Sequence, residues 1–355
     1  MKQRARIVAT VKGEKASDVK QVRATIRDVA RIAKVDPSLV SRIVNNDPKA
    51  SASPATRQRV LDAVQELGYR ANSAARMLKT ARTQMLGLLL PDMANPMYSA
   101  IITGVEQRCK ELGYGILIGD HAEGDSEKTF TDLLERGQVD GLLIASGTLS
   151  DTFLKKEVLD HYKSVVMVNR RVKGVSASVT VNDELGASLA VDHLAQFGTK
   201  SIAGVFGPQN IDTAQRRRKG FESAVVRNKL KATVIEKNSW GMDAGREAGL
   251  ELLSKKNKPD VVFASTIMMG IGFIRAAHEL GVDIPNTLRI AALHDSDIAN
   301  YLTPSLTTVH LPTVEMGSQS VDLLLRIIGG GTPGHLIVDT PPVLVARDST
   351  GKPKR

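Results

Sequence analysis

The feature that most constrains this 355-residue sequence is a regular alternation of apolar and amphipathic segments from Met85 to about residue 349. Continuous apolar runs predict strands at 86–92, 114–120, 140–145, 165–169, 201–206, 233–236, 261–264 and 289–293. Helical spacing fills most of the gaps between them. Apolar strands separated by helices indicate parallel sheets covered on both faces. About 265 residues exceed a single doubly wound core, so we expect two lobes with a ligand cleft between them.

Charge divides the chain near the same point. Residues 1–83 carry 18 Lys and Arg against 7 Asp and Glu, a net charge of +11, whereas the remaining residues carry −1. A small basic module joined to a large neutral one indicates a polyanion-binding domain attached to a control domain, and the alternative is a basic solvated tail. Residues 1–23 show no clear periodicity, so we expect a disordered arm or residues that precede a later start codon.

Several classes of protein are excluded by the remaining features. No apolar run approaches the ~18 residues of a membrane-spanning helix, and the apolar stretch 7–11 is too short for a signal peptide. The single cysteine, Cys109, excludes an intramolecular disulfide and a zinc–thiolate cluster. Gly270 and Gly272 begin a dinucleotide fingerprint, but Arg275 takes its third position. We therefore predict a cytoplasmic protein that needs no cofactor or metal and is not an enzyme.

Three short helices, with a tight turn between the first two, are predicted in the basic module. Thr25 and Asp28 form a capping-box pattern before the first helix. Asp36 and Pro37 are typical of the start of the second, and the third ends at Gly68. The residues expected in their shared core are Ile26, Val29, Ala30, Ala33, Val40, Ile43, Val44, Val60, Leu61, Val64 and Leu67.

This arrangement is typical of a helix-turn-helix, whose second helix enters the major groove of DNA. Pro37 and Ser38 occupy the N-terminal positions of that helix. Arg42, one turn after Ser38, can donate two hydrogen bonds to guanine. An ordinary three-helix domain with a polar outer face is the alternative. The candidate phosphate-binding groups are Ser41, Asn45 and the helix N-terminus at Thr25.

Motifs in this module resemble the lactose–galactose repressor (LacI/GalR) family. They read ATIRDVARIA at 24–33, VDPSLVSRIVN at 35–45 and TRQRVLDAVQELGY at 56–69. The resemblance implies that Pro37, Ser38 and Arg42 read the DNA sequence. It also implies that 72–79, after a cap at Asn72, is a hinge helix that pairs with its symmetry mate in the minor groove. Leu78 then takes the position that wedges between two base pairs and kinks the DNA.

The large module resembles the effector domain of the same family, which shares its fold with periplasmic sugar-binding proteins. Its markers are DMANPMY at 92–98, VDGLLI at 139–144 and TPSLTTV at 303–309. The resemblance implies three crossings between the lobes, near residues 182, 312 and 341. The predicted parts of the chain are an arm at 1–23, a helix-turn-helix domain at 24–70, a hinge at 71–83, an effector-binding and dimerisation domain at 84–349 (N-lobe 84–182 and 312–341, C-lobe 183–311 and 342–349) and a tail at 350–355.

The family's cleft positions can be carried over to this chain. Arg217 aligns with the arginine that binds polar groups of the effector, while its neighbours Arg216, Arg218 and Lys219 are expected on a solvated helix face. Asp295 matches the cleft aspartate, with Asp297 as a competitor because the surrounding loop is one residue shorter than usual. The other residues expected to line the pocket are Met97, Tyr98, Ser146, Asn169, Arg170 and Thr266.

Two departures from the family pattern bear on the ligand. Thr266 and Ile267 replace an Asn-Asp pair common in sugar-binding members, and Asn182-Asp183 reverses the usual Asp-Asn. An anionic ligand paired with Arg217 or Arg170 is therefore an alternative to a neutral sugar, and loss of the ligand response is another. The sequence as a whole predicts a DNA-binding transcriptional repressor that acts as a homodimer on a palindromic operator under allosteric control by a small-molecule effector. A solute-binding protein and a doubly wound enzyme are the rival classes.

Overall fold

The computed structural model describes residues 24–44, 47, 50–69, 82–93, 95–120, 137–145, 152, 154, 156 and 164–351. The chain divides between Arg82 and Thr83 into two compact units, each of which has its own apolar core. Within the described ranges, no helix is long and apolar enough to cross a membrane.

The first unit contains the helices α1 (Ile26–Ala33), α2 (Pro37–Val44) and α3 (Pro54–Glu66). The predicted capping box at α1 is confirmed, because Thr25 and Asp28 each accept a hydrogen bond from the other's backbone N–H. Asp36 begins α2 by accepting from the backbone N of Ser38 at 2.7 Å. The buried core of the unit consists of Val29, Ala30, Ala33, Val40, Ile43, Val60 and Ala63.

The prediction that Leu61 of α3 lies in the core is wrong. Leu61 is 43% exposed, whereas Val60 and Ala63 are fully buried. Successive residues of a helix are about 100° apart, so Leu61 turns away from the face that carries Val60 and Ala63. Apolar character alone does not distinguish the buried edge of a helix from its exposed flank.

The second unit contains two sheets and the helices that cover them. Its strands are β1 (Met85–Leu90), β2 (Gly115–Asp120), β3 (Gly141–Ile144), β4 (Val165–Val168), β5 (Ser178–Thr180), β6 (Ser201–Phe206), β7 (Lys231–Glu236), β8 (Val261–Ala264), β9 (Arg289–Leu293), β10 (Thr307–His310), β11 (His335–Ile337) and β12 (Val343–Val345). Its helices are α4 (Pro96–Glu111), α5 (Asp183–Ala195), α6 (Asp212–Arg227), α7 (Met242–Leu253), α8 (Ile267–Glu279) and α9 (Thr313–Ile328).

Each sheet is the centre of one lobe. The first has the order β11-β5-β4-β3-β1-β2 and carries α4 packed beside α9. The second has the order β12-β10-β9-β8-β6-β7, with α5 beside α6 and α7 beside α8. The chain passes from the first sheet to the second after β5, returns after β10, and passes again after β11.

The second sheet differs from the predicted all-parallel form. Strand β12 pairs antiparallel with β10, whereas the other pairs that involve β6 to β10 are parallel. Parallel neighbours need a long crossover connection, but only residues 338–342 separate β11 in one sheet from β12 in the other. The chain therefore enters the second sheet at its edge, without a crossover helix that would impose a parallel direction.

The chain beyond β12 is also part of the second lobe. Ser349 and Thr350 are fully buried. The Ser349 hydroxyl donates to the carbonyl of Ile290 at 2.7 Å, and Thr350 Oγ1 lies 3.0 Å from His193 Nε2. The predicted tail at 350–355 therefore starts too early, because the Thr350 hydroxyl fills a buried polar position within the lobe.

Candidate functional site

Helix α2 presents an exposed polar face. Pro37, Ser38 and Arg42 are exposed and Ser41 is half-buried, whereas Val40 and Ile43 point into the core. Positions 37, 38, 41 and 42 lie on one side of a helix, because residues four apart are neighbours on its surface. The four side chains therefore form a single outward-facing patch at the start of α2.

The other sequence-predicted DNA contacts have mixed outcomes. Thr25 is exposed, but its hydroxyl donates to an Asp28 carboxylate oxygen at 2.7 Å, so the side chain is committed to the helix cap. Asn45, Asn72 and Leu78 lie outside the described residues. Their expected roles remain predictions.

A second cluster of polar side chains lies between the lobes, where several strands end. Asn169 and Arg170 follow β4 in the first lobe, and His294 follows β9 in the second. Asn169 and His294 have φ angles of 66° and 68°, a left-handed conformation that is uncommon for side-chain-bearing residues and concentrates at functional sites. Ligands of such folds bind at the carboxyl ends of strands.

Arg217 is the centre of this cluster. Its side chain is only 2% exposed. The guanidinium donates from Nε to Asp183 Oδ1 at 2.8 Å, from Nη1 to the Ser265 carbonyl at 3.0 Å and from Nη2 to His294 Nε2 at 2.7 Å. It also lies over the ring of Trp240, 5.4 Å from the ring centroid. The guanidinium is thus held in place from three sides.

A close approach of two helices makes this geometry possible. A Cβ built on Gly220 of α6 would lie 2.1 Å from the Glu184 carbonyl oxygen of α5. No larger residue fits at that point without moving a backbone. The contact brings the start of α5, with Asp183, against the arginines of α6.

Burial and charge together set the protonation states in the cluster. Burial alone would raise the pKa of Asp183, but the charges of Arg217 and Arg216 and their hydrogen bonds outweigh this effect and lower it. Burial, together with the charge of Arg217, lowers the pKa of His294 to about 3. His294 is therefore neutral near pH 7. Because arginine can only donate, Nε2 of His294 accepts and its proton is on Nδ1.

The first lobe contributes Met97 and Tyr98 from the start of α4. Met97 Sδ accepts from the Asn169 amide at 3.5 Å. Tyr98 is buried, which raises its pKa, and it lies within electrostatic reach of Arg217 and Arg170. Arg170 is 4% exposed. The structure thus brings five of the residues expected to line the pocket into one region: Met97, Tyr98, Asn169, Arg170 and Arg217.

The remaining predicted effector residues are placed differently. Asp295 Oδ1 accepts from Thr308 at 2.5 Å and pairs with Arg347 at 2.8 Å, so both of its described partners belong to the second lobe's own sheet and C-terminal segment. The alternative, Asp297, is exposed and begins a short 3₁₀ helix. Thr266 caps α8, accepting from the Met269 backbone N at 3.1 Å. Its hydroxyl donates to the carbonyl of Trp240 at 3.2 Å, so it adjoins the surroundings of Arg217. Ser146 lies outside the described residues.

Two features of this region were not expected from the sequence. Arg216 is not on a solvated face: its side chain is 14% exposed and pairs with Asp183 and Asp212, because α6 packs against α5 along this side. Trp240 and His294 were missed as contacts of Arg217. His294 directly follows an apolar run that predicts a strand, so its position at a strand end was the available signal.

Metal ligands and the single cysteine are the remaining candidates for chemistry among the described residues. In the parts of the chain that the structure describes, no group of three or more His, Cys, Asp or Glu side chains could hold a metal ion. Cys109 is buried in the first lobe, and burial raises the pKa of its thiol to about 11. A thiol in such surroundings is inert.

Comparisons with known proteins agree with this architecture. Residues 25–72 match the family described as bacterial regulatory proteins, lacI family, and residues 191–350 match the periplasmic binding protein-like domain. The chain is 31% identical to the ribose operon repressor of Halalkalibacterium halodurans, over 92% of this chain and 97% of that protein. It is 30% identical to catabolite control protein A of Priestia megaterium, over 92% and 99%.

Solved structures give the same result. The Lac repressor dimer bound to operator and an anti-inducer superimposes with a TM-score of 0.79 at 26% identity, covering 92% of this chain and 99% of that one. A complex of the transcriptional regulator CelR with cellobiose gives a TM-score of 0.68 at 27% identity, covering 92% and 100%. The chain belongs to the LacI family of bacterial regulatory proteins, and its function is transcriptional regulation rather than catalysis.

Proposed function

We propose that this protein is a cytoplasmic transcriptional repressor that binds a palindromic operator as a homodimer. The observation that carries the proposal is the exposed patch of Pro37, Ser38, Ser41 and Arg42 at the start of α2. One helix-turn-helix reads only a half-site, so a dimer is needed to read a palindrome. The similar Lac repressor is a dimer on its operator, and the similar ribose operon proteins are repressors.

Operator binding tests this proposal directly. Binding of the purified protein to DNA from the gene's own upstream region is measured by fluorescence anisotropy at a series of salt concentrations. We expect a discrete site, a steep salt dependence and a preference of about 4–10 kcal/mol over random DNA. Binding without any site preference across the upstream region and a genomic fragment library contradicts the proposal.

A variant of Arg42 tests whether this side chain recognises a base of the operator. Arg42→Ala should weaken operator binding by about 1–3 kcal/mol and relax base choice at one position of each half-site. Arg59→Ala removes the same charge from the exposed side of α3 and is the matched control. If Arg42→Ala weakens binding equally on every DNA sequence, as expected of a phosphate contact, Arg42 does not read a base.

The effector is inferred to be a small polar metabolite, a sugar, sugar derivative or anion, bound between the lobes. Arg170, Arg217, Met97 and Tyr98 support this inference, as does Trp240 beside Arg217. Among the described residues, the buried Asn169 Oδ1 has no hydrogen-bond partner. A buried acceptor of this kind favours a ligand with a donor such as a hydroxyl. An effector that couples to DNA binding by ~1–3 kcal/mol would change operator affinity ~5–150-fold.

The single tryptophan makes the effector measurable. Trp240 is the chain's only tryptophan and contacts Arg217, so its fluorescence reports on the site. Ribose, cellobiose, a ribose phosphate and inorganic phosphate are titrated as probes, followed by a pool of cell metabolites. We expect a saturable change that also shifts operator affinity. Binding of a ligand that alters Trp240 but leaves operator affinity unchanged contradicts an effector role.

A further inference from the structure

Two sets of contacts meet at one buried carboxylate. The first set, the interlobe latch, joins the chain after β4 to the start of α6, and its members are Asn169, Arg171, Asp212, Thr213 and Arg216. The second set, the pocket group, surrounds Arg217 and includes Ser265 and His294. Asp183, which is fully buried, belongs to both.

The interlobe latch is a compact hydrogen-bond network. Thr213 Oγ1 donates to the Asn169 carbonyl at 2.5 Å, and Arg216 Nη2 donates to the same carbonyl at 3.2 Å. The backbone N of Arg171 donates to Asp212 Oδ2 at 2.8 Å. Arg216 also pairs with Asp212. Since Asn169 and Arg171 belong to the first lobe and α6 to the second, these contacts hold the lobes together.

The carboxylate of Asp183 is divided between the two sets. Oδ2 accepts from Arg216 of the latch at 2.7 Å, and Oδ1 accepts from Arg217 of the pocket group at 2.8 Å. Neither oxygen faces water, because the Asp183 side chain is fully buried. In such surroundings, breaking one ion pair leaves charge uncompensated and forces the remaining partners to rearrange.

We propose that Asp183 is a positioning residue that couples the effector-binding arginine to the contacts that hold the lobes together. A ligand that draws Arg217 toward itself releases Oδ1, and the carboxylate then moves with its remaining partner, Arg216. Arg216 carries one of the hydrogen bonds to the Asn169 carbonyl, so the latch changes with it. This inference rests on the proposed effector role of the interlobe site.

The interlobe distance tests this coupling without DNA or effector. Spin labels are attached to the variants Lys110→Cys in the first lobe and Lys256→Cys in the second, at two exposed positions, in a Cys109→Ala background. Excess unlabelled protein ensures that a dimer carries one labelled protomer. Because neither DNA nor ligand is used, failure here is distinguishable from failure of the proposed DNA binding or effector binding.

Four variants separate the two sets of contacts. Asp212→Asn weakens the latch directly and should roughly double the width of the distance distribution. Arg217→Gln touches neither Asn169 nor Asp212, yet it should broaden the distribution as well, and the double variant should add little. Glu184→Gln is the matched control: Glu184 is the next residue of α5 and pairs with Lys219 of α6 on the exposed side of the same helices. Arg217→Lys, which retains a charge toward Asp183, should restore the narrow distribution.

Three results of this experiment would overturn the proposed coupling between Arg217 and the interlobe latch. A wild-type distribution for Arg217→Gln, or an effect fully additive with Asp212→Asn, overturns the coupling. Equal broadening in Arg217→Lys and Arg217→Gln assigns the effect to lost packing and also overturns it. If Arg217→Gln does not fold, as judged by circular dichroism, Arg217→Met, which keeps side-chain volume but cannot pair with Asp183, takes its place: coupling requires it to broaden the distribution and to add little to Asp212→Asn, and a wild-type distribution overturns the coupling.

Discussion

The buried His294 makes a quantitative prediction about stability and pH. In the folded protein its pKa is about 3, mainly because of burial, with the positive charge of Arg217 as the next cause. In the unfolded chain it returns to its ordinary value of about 6.5. Above about pH 7 the residue is neutral in both states and has no effect. As the pH falls below 6.5 the unfolded state takes up a proton that the folded state refuses, so stability is lost.

The magnitude follows from the two pKa values. At pH 5 the unfolded histidine is almost fully protonated and the folded one is not, which costs about 2 kcal/mol at about 1.4 kcal/mol per pH unit. The loss continues down to the folded pKa of about 3.

Urea denaturation at pH 7.5 and pH 5, followed by Trp240 fluorescence, measures this loss in the lobe that contains His294. The comparison is with His294→Gln, whose side chain does not titrate and retains an acceptor for Arg217. The wild-type protein should lose about 2 kcal/mol more than the variant between the two pH values. The exposed His310 provides a control, His310→Gln, which should follow the wild type. Equal losses in wild type and His294→Gln would refute the assignment of a buried neutral histidine.

Three further perturbations test other parts of the molecule. Thr25→Ala removes the capping box with Asp28 and should destabilise the first unit by about 0.5–2 kcal/mol in thermal unfolding, and an unchanged melting temperature contradicts a role for the cap. Gly220→Ala places a methyl group against the Glu184 carbonyl and should cost about 1–3 kcal/mol, measured by urea unfolding; no loss would mean that α5 and α6 separate easily. Leu78→Ala should reduce operator bending in a gel-shift permutation assay, and unchanged bending refutes the wedge.

Most of the fold could be predicted from the sequence because its signals are local. Capping residues such as Thr25 and Asp36 mark helix starts, and the apolar runs of β6, β8 and β9 lie at the predicted positions. Short strands were missed. Strand β5 is buried but carries Ser178 and Thr180, whose hydroxyls contact β11, so no continuous apolar run marks it.

The interlobe site could be predicted only in part. Arg217 and Arg170 were expected there, and both are buried within electrostatic reach of Tyr98 of the first lobe. The predicted exposure of Arg216 was wrong, because helical periodicity does not reveal which flank of α6 packs against α5. His294 was missed because a histidine beside an arginine is recognisable only from their contact, and 77 residues separate the two in sequence.

The sequence by itself therefore determined the secondary structure of most of the chain, the division into a basic unit and a two-lobed unit, and the family. These properties depend on residues close together in the chain. The tertiary structure alone decided how charge is arranged between the lobes, with Asp183 shared by Arg216 and Arg217. That arrangement depends on the close approach of α5 and α6 at Gly220. Burial then makes each ion pair depend on its neighbours, because a buried charge that loses its partner is shielded from solvent and stays uncompensated.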